Sequence, residues 1–378
     1  MAWKMNYEFI LIGLGFLYVT NAFDDSLLIP SDASQIDNWF QQNVFTSPAG
    51  PNLDPALIAA ESNVTIIKVR KDGSGDVLTV TDAINKIPVG NTKRVIVWIG
   101  GGTYNEKPRI NRDKPFITLY GSPDDRPTII FGGTSSQYGT VESASVIAES
   151  EYFVASNIIF SNSARRPFSG ERGQQAVAMR ITGDKAAFYN CRFHGFQDTL
   201  CDDKGRHFFK DCYIEGTVDF IFGNAQSIYL KSEIHVIPED DKMAVITAHA
   251  RKSDAEPTGY IFLHCNVTGT SNVTYLGRAW FPYSKVIFAY TYMSGAVHPS
   301  GWSNNYQKQS EKTVYYGEYK GTGPGSDMTS RVGFTKHLSD AEISPYMKLN
   351  FLEASKWLLP PPAEDKLSSY TEAKDVEL

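Results

Sequence analysis

The chain has 378 residues, of which 42% are hydrophobic, 13% aromatic and 21% charged, the composition of a globular protein without a disordered majority. Its formal net charge is −6 and no Lys/Arg block stands out, which excludes nucleic acid as a partner and argues against non-specific adhesion to a polyanion. A chain of this length holds either two domains or one large β unit.

Residues 1–22 read as a secretory signal peptide. Lys4 precedes an apolar run over 9–19, and Thr20-Asn21-Ala22 sets small residues before a cut. The run is too short for a membrane span, and no other segment approaches the ~18 apolar residues a transmembrane helix needs. A secreted, extracellular protein without a membrane anchor is expected. Three N-glycosylation sequons agree, at Asn63, Asn266 and Asn272. Asn266 falls in a strand-like stretch and is ranked below Asn272, which lies in a turn-like one.

Residues 23–63 form an N-terminal extension with helical stretches over 34–40 and 55–61, and a further helix is expected over 80–87, ending before Pro88. From Arg94 the texture changes. Short apolar or alternating runs recur, over 95–99, 116–120, 153–160, 186–193, 207–214, 227–234, 260–267 and 285–290 among others, and Gly, Asn, Asp or Pro separates most of them. The matching positions Ile158, Cys191, Cys212, Ser232 and Cys265 lie 33, 21, 20 and 33 residues apart. A coil of about twenty residues interrupted by insertions is the pattern of a parallel β-helix solenoid. Cys191, Cys212 and Cys265 then form a ladder of small buried side chains, and the lack of any CxxC pair speaks against a metal site. After Trp302 the chain becomes irregular, with a closing helix expected over 340–357, broken at Pro345, and a charged, disordered tail over 361–378.

Two stretches repeat each other 21 residues apart: Cys191-Arg192-Phe193-His194-Gly195-Phe196-Gln197-Asp198 and Cys212-Tyr213-Ile214-Glu215-Gly216-Thr217-Val218-Asp219. If each is one rung of the solenoid, Asp198 and Asp219 occupy neighbouring strands, about 4.8 Å apart at the backbone. Two carboxylates that close do not both ionise readily, so one keeps a proton while the other stays charged. That pairing is the equipment of hydrolysis.

Around the pair stand Gln174-Gln175-Ala176-Val177-Ala178-Met179-Arg180, Gly195-Phe196-Gln197-Asp198-Thr199-Leu200, Asp219-Phe220-Ile221-Phe222-Gly223-Asn224-Ala225, and Leu276-Gly277-Arg278-Ala279-Trp280. With Gly102-Thr103-Tyr104-Asn105-Glu106, Gly301-Trp302-Ser303 and Gly317-Glu318-Tyr319, these resemble the plant pectin methylesterases over roughly 64–360. Singly, each residue reads as easily as a strand, core or surface residue; the motifs taken together in one order do not. The resemblance implies a single-stranded right-handed parallel β-helix with short helical caps. It also implies hydrolysis of pectin methyl esters in the cell wall, releasing methanol. Asp219 matches the nucleophile, Asp198 the general acid and later base, Gln175 and Gln197 the donors to the tetrahedral intermediate, and Arg278 the arginine that orients the nucleophile. Trp280 matches a groove aromatic, and Phe196, Phe222 and Cys201 are placed with it in substrate binding. No cofactor is implied. Methyl-esterified homogalacturonan is the expected partner, with a proteinaceous inhibitor besides, and the chain is expected to be a monomer of the short form, closest in texture to pollen members.

Three positions depart from the family pattern. Cys201 stands where a Tyr is usual, Ala279 replaces a Pro beside Arg278, and the stretch from Asp219 to Arg278 looks short. Asp202 and Asp203 are expected to add negative charge along the substrate path. Two other readings remain open. A polygalacturonase or lyase would need an aspartate trio or Ca²⁺ carboxylates with a base, neither of which is visible. A non-catalytic pectin-binding relative would have lost a catalytic residue.

Overall fold

The computed structural model describes residues 23–44, 52–168, 170–237, 243–270, 272–364 and 367; the signal peptide expected over 1–22 lies outside them. The short runs that follow Arg94 are strands, but most of the longer ones are two strands meeting at a sharp corner. The run over 186–193 is Ala186–Tyr189 followed by Arg192–His194, with Asn190 between them at φ 51°. Asn157, Asp211, Lys231, His264 and Tyr290 turn the same corner at φ 51–59°. Asn and Asp tolerate the left-handed region because their short polar side chains bond locally. Asn157 and Asn190 also bond each other, the Asn190 amide donating to Asn157 Oδ1 at 2.8 Å. The inward positions Ala186, Phe188, Cys191 and Phe193 slip by one residue at this corner, and Ala187 and Tyr189, buried on the outer face, hide that slip in the sequence.

Among the described residues, repetition of this corner sorts the strands into three parallel sheets. One has eleven strands, from Thr65–Val69 to Thr335–His337. The second has eight, from Arg109–Ile110 to Trp302–Ser303, and the third eight, from Gly102–Asn105 to Tyr292–Met293. Each complete coil gives one strand to each sheet, so the chain winds as a right-handed parallel β-helix.

The core is the inside of this coil. Phe188, Phe209, Tyr229, Phe262 and Phe288 lie in register on consecutive strands. Their rings stack at centroid separations of 4.7, 4.6, 4.5 and 4.4 Å, close to the strand spacing itself. Burying each such ring contributes roughly 1.5–3 kcal/mol, and an aromatic pair about 0.5–1.5 more. Cys191, Cys212 and Cys265 form the expected inner ladder as buried free thiols. Burial pushes the Cys191 and Cys265 thiols up to about 12, which keeps them protonated and unreactive.

Helix Ile36–Asn43 crosses the outer face of the eleven-stranded sheet. Its Phe40 stacks on Phe208 at 5.8 Å, and Asp37 accepts from Lys210 at 2.9 Å and Lys231 at 2.5 Å. Helix Val80–Lys86 buries Val80, Ala83 and Ile84. The closing segment differs from the long helix expected: Asp340–Ile343 is followed by the 3-10 turns Ser344–Tyr346, Leu349–Leu352 and Ala354–Lys356. Pro345 cannot donate to a continuing helix, and Glu353 sits at φ 50°. The expected disorder of 361–378 is corrected at its start, because Leu367 is fully buried and clusters with Ile96 and Tyr120; the other residues beyond 364 lie outside those described.

Candidate active site

Asp198 and Asp219 occupy equivalent places on consecutive coils. Strand Leu200–Asp202 pairs with Val218–Gly223 in the register Leu200↔Ile221 and Cys201↔Phe222, which sets Asp198 level with Asp219. The Asp198 N–H donates to the Val218 carbonyl at 3.1 Å, and the Thr217 N–H to Phe196 at 2.8 Å, so the ladder continues through the turn. Both aspartates are left-handed, at φ 66° and 53°. The glycine three residues earlier in each repeat lets the chain pack closely beside that bend. A Cβ on Gly216 would lie 2.2 Å from Phe220 Cβ, and one on Gly195 would lie 2.8 Å from Thr199 Oγ1. Past Asp219 the register against Ala244–His249 slips between Val218 and Ile221, a bulge that re-aims the side chain.

Arg278 arrives from two coils further on, at the end of strand Thr274–Arg278. Its Nε donates to Asp219 Oδ1 at 2.7 Å, its Nη2 donates to Oδ2, and its Nη1 donates to Asn305 Oδ1 at 2.9 Å. The guanidinium also lies 5.0 Å from the ring of Trp280, which is 47% exposed. A bidentate guanidinium–carboxylate pair of this kind fixes orientation as well as charge.

The two carboxyls are 7% and 6% exposed, and burial pushes both above the ordinary carboxylate range. At Asp198 the charge of Asp219 adds to the rise, while Arg278 opposes it only at a distance. At Asp219 the hydrogen bonds and charge of Arg278 oppose burial directly. Of the two, Asp219 is therefore the better stabilised as an anion and Asp198 the better suited to hold a proton. Among the described residues, Asp198 Oδ1 is buried without a hydrogen-bond partner, as is Gln175 Oε1. Buried polar atoms left unpaired are costly.

The other expected site residues divide. Gln197 directly precedes Asp198, and its carbonyl accepts from the Ala176 N–H at 3.1 Å, so Gln175 and Gln197 lie on adjacent coils beside the carboxyls. Both are half-buried, as are Phe196 and Phe222. The Arg166 guanidinium sits 5.9 Å from the Phe196 ring. Cys201, expected to face substrate, is 1% exposed and packs with Ala144, Ile147, Val177 and Phe222. That expectation is corrected: its strand faces outward there, but the neighbouring side chains cover the short thiol.

The expected acidic patch beside it is also absent. Asp202 points inward, with Oδ1 2.5 Å from His207 Nδ1 and Oδ2 accepting from Tyr229 at 2.7 Å, while Asp203 accepts from Arg180 at 3.1 Å. Phe220 is wholly buried. Trp302 is a core residue too, its Nε1 donating to Glu318 Oε1 at 2.9 Å. Asn305 is the residue that sequence reasoning missed. Its only signal was its place in an Asn-Asn pair, a dipeptide suited to left-handed turns.

A parallel β-helix that holds one buried carboxylate clamped by arginine and a second beside it presents the groups that a two-carboxylate hydrolysis uses. The comparisons carry this further. The Pectinesterase family model matches residues 66–355, so the chain belongs to the pectinesterase family and is a carboxylic-ester hydrolase. Pectinesterase 1 of Olea europaea is 50% identical over 359 residues, covering 94% of this chain and 97% of its own. A pectinesterase of Parthenium hysterophorus matches to the same extent. Among solved structures, pectin methylesterase from carrot superposes with a TM-score of 0.69 at 30% identity, covering 80% of this chain and 98% of that one.

Proposed function

We propose that the carboxyl pair carries out the family's hydrolysis of pectin methyl esters, with Asp219 as nucleophile and Asp198 as general acid and then base. The observation that carries this assignment is the asymmetry of the pair: Arg278 clamps Asp219, and Asp198 has an unpaired buried oxygen. Asp219 attacks the ester carbonyl carbon. The carbonyl π electrons move onto oxygen, where the amides of Gln175 and Gln197 donate to the developing anion, a task worth about 3 kcal/mol per donor in other enzymes. As the intermediate collapses, the C–OCH₃ bond breaks and Asp198 gives its proton to the leaving methoxide, forming methanol. An anhydride now joins Asp219 to the sugar acid. Asp198, now a carboxylate, takes a proton from water as its oxygen attacks the acyl carbon, and Asp219 leaves as an anion. Asp198 ends protonated, and the cycle closes without any other reactant.

The exposed ring of Trp280, with half-buried Phe196 and Phe222 alongside, gives a sugar chain apolar faces to lie on. The same reading puts the chain outside the cell, in the wall. Residues 1–22 supply the leader, and Asn63, Asn266 and Asn272 are all exposed for glycan attachment. Asn266, ranked lower on the sequence for lying in a strand, is exposed on the strand Asn266–Thr268. Among the described residues no helix is long and apolar enough to cross a membrane. A monomer suffices for this chemistry, since every group named comes from one chain. An inhibitor protein would act by covering Trp280 and the carboxyl corner.

Purified protein acting on methyl-esterified polygalacturonate tests the function. Methanol and titratable acid should appear one to one, with the polymer length unchanged. Shortened chains, unsaturated ends or no methanol at all would refute it.

A further inference from the structure

Beyond Arg278, the residues 303–307 make an unusual turn. Ser303 pairs with Arg278 across parallel strands, and the Ala279 N–H donates to the Ser303 carbonyl at 3.0 Å. The chain then passes through two successive left-handed residues, Asn305 at φ 53° and Tyr306 at φ 59°. For tyrosine this conformation is uncommon, and its ring is 99% exposed, so burial of the ring does not compensate for it. Local hydrogen bonds hold the turn instead. The Asn305 N–H donates to Ser303 Oγ at 3.1 Å, and the Tyr306 N–H to Asn304 Oδ1 at 3.0 Å. Asn304 in turn donates to Glu311 at 2.6 Å. Trp302, fully buried and bonded to Glu318, anchors the start of the segment.

This turn delivers one side chain to two partners. Asn305 Oδ1 accepts from Arg278 Nη1 at 2.9 Å, while Asn305 Nδ2 donates to the Ala279 carbonyl at 3.3 Å. Gln307 Nε2 donates to that same carbonyl at 3.1 Å. Ala279 needs such restraint, because alanine leaves free the φ angle that a proline at this position would have fixed. The guanidinium is thereby held on its edges, by Asp219 on one side and Asn305 on another, with Trp280 alongside.

We propose that Asn305 is a positioning residue for the hydrolysis: it locks Arg278 from the side away from Asp219 and restrains the Ala279 peptide behind it. This rests on the reading of Asp219 as nucleophile. Freed from Asn305, the guanidinium swings about its stem, and the bidentate grip on Asp219 loosens. Asp219 is then less well aimed and less stabilised as an anion. The charged and titratable groups facing Asp219 are Asp198 on the preceding coil, Arg278 two coils on, and Tyr316, whose hydroxyl feels both Arg278 and Asp219. Of these, Arg278 alone favours ionised Asp219, so loosening it moves the titration of Asp219 upward.

Asn305→Gly is the variant to test, because glycine adopts φ 53° without strain and removes only the side chain. Expected is a fall in kcat of about tenfold, the scale of one hydrogen bond to a charged group, with KM changed less than about twofold. The acid limb of the kcat profile should move to higher pH. Gln307→Ala, which removes the Gln307 bond to the Ala279 carbonyl, should leave that limb in place. Parental kcat in Asn305→Gly overturns the proposal, and so does a fall in kcat with an unmoved acid limb. If Asp219→Asn is inactive while Asn305→Gly behaves as parent, the positioning role alone fails; if Asp219→Asn retains turnover, the nucleophile assignment fails with it.

Discussion

Replacing Arg278 by alanine strands a buried carboxylate. Asp219 is 6% exposed, and Arg278 supplies the two hydrogen bonds and the one positive charge that offset its burial. Breaking a buried pair by removing one partner costs about 3–5 kcal/mol when the remaining charge stays ionised. Asp219 escapes part of that cost by taking up a proton, at about 1.4 kcal/mol per unit by which its pKa then exceeds the ordinary value. The sign follows from the direction of the shift. A carboxyl raised in the folded state penalises folding above its unfolded pKa, and the penalty disappears as pH falls below about 4, where both states are protonated. Arg278→Ala should therefore unfold at lower urea than the parent near pH 7, by an amount corresponding to roughly 3 kcal/mol, and the deficit should narrow on acidification. Adding Asp219→Asn removes the stranded charge, so the double variant should be more stable than Arg278→Ala alone. Methanol release should fall by about a thousandfold or more in the single variant, because a protonated carboxyl is no nucleophile. Urea melts at several pH values beside methanol assays give all these quantities. If Arg278→Ala is as stable as the double variant at every pH, or keeps a tenth of parental turnover, the clamp is not what holds Asp219 ionised.

Turnover should follow a bell in pH, rising as Asp219 loses its proton and falling as Asp198 loses its own. Since burial raises both carboxyls, both limbs should lie above the ordinary range near about 4; a profile flat from there into the alkaline range would contradict that order of ionisation. His249 is buried and neutral, its Nδ1 accepting from the Lys285 N–H at 3.1 Å, and desolvation lowers it to about 3 from 6.5. Stability should be unaffected above about pH 6.5 and decline below it as the unfolded chain gains a proton, by about 2 kcal/mol at pH 5. His249→Asn, which keeps an acceptor, should flatten that dependence in thermal melts. Cys201→Ala should change KM less than about twofold while costing on the order of 1 kcal/mol in urea melts, and a several-fold rise in KM would put the thiol back in the substrate path. Trp280→Ala should raise KM with kcat largely kept, removing about 1 kcal/mol of sugar contact; an unchanged KM would exclude the ring from the groove.

The coil period and the carboxyl pair were both legible in the sequence, because a solenoid places equal offsets in equal positions. The spacing of Cys191, Cys212 and Cys265 carried the first, and the repeated Gly-x-x-Asp carried the second. The corners were not legible. Asn190 and His264 turn the chain through φ values that hydrophobic alternation does not register. Charge along the substrate path was misread for a related reason. Asp202 and Asp203 are neighbours in sequence, but alternation sends one inward to His207 and the other outward to Arg180. Cys201 occupies an outward strand position, and burial there depends on Val177 and Phe222 from adjacent coils, which a reading of one strand does not include. Asn305 stayed hidden because its partners lie 26 and 27 residues away.

Methanol release by Asp219→Asn, beside the parent and at matched folded concentration, tests the assignment most directly. The amide keeps the shape of the side chain and loses the nucleophilic oxygen, so turnover should drop by about 10⁴ or more while the parent releases methanol freely. Turnover within tenfold of the parent would contradict Asp219 as nucleophile.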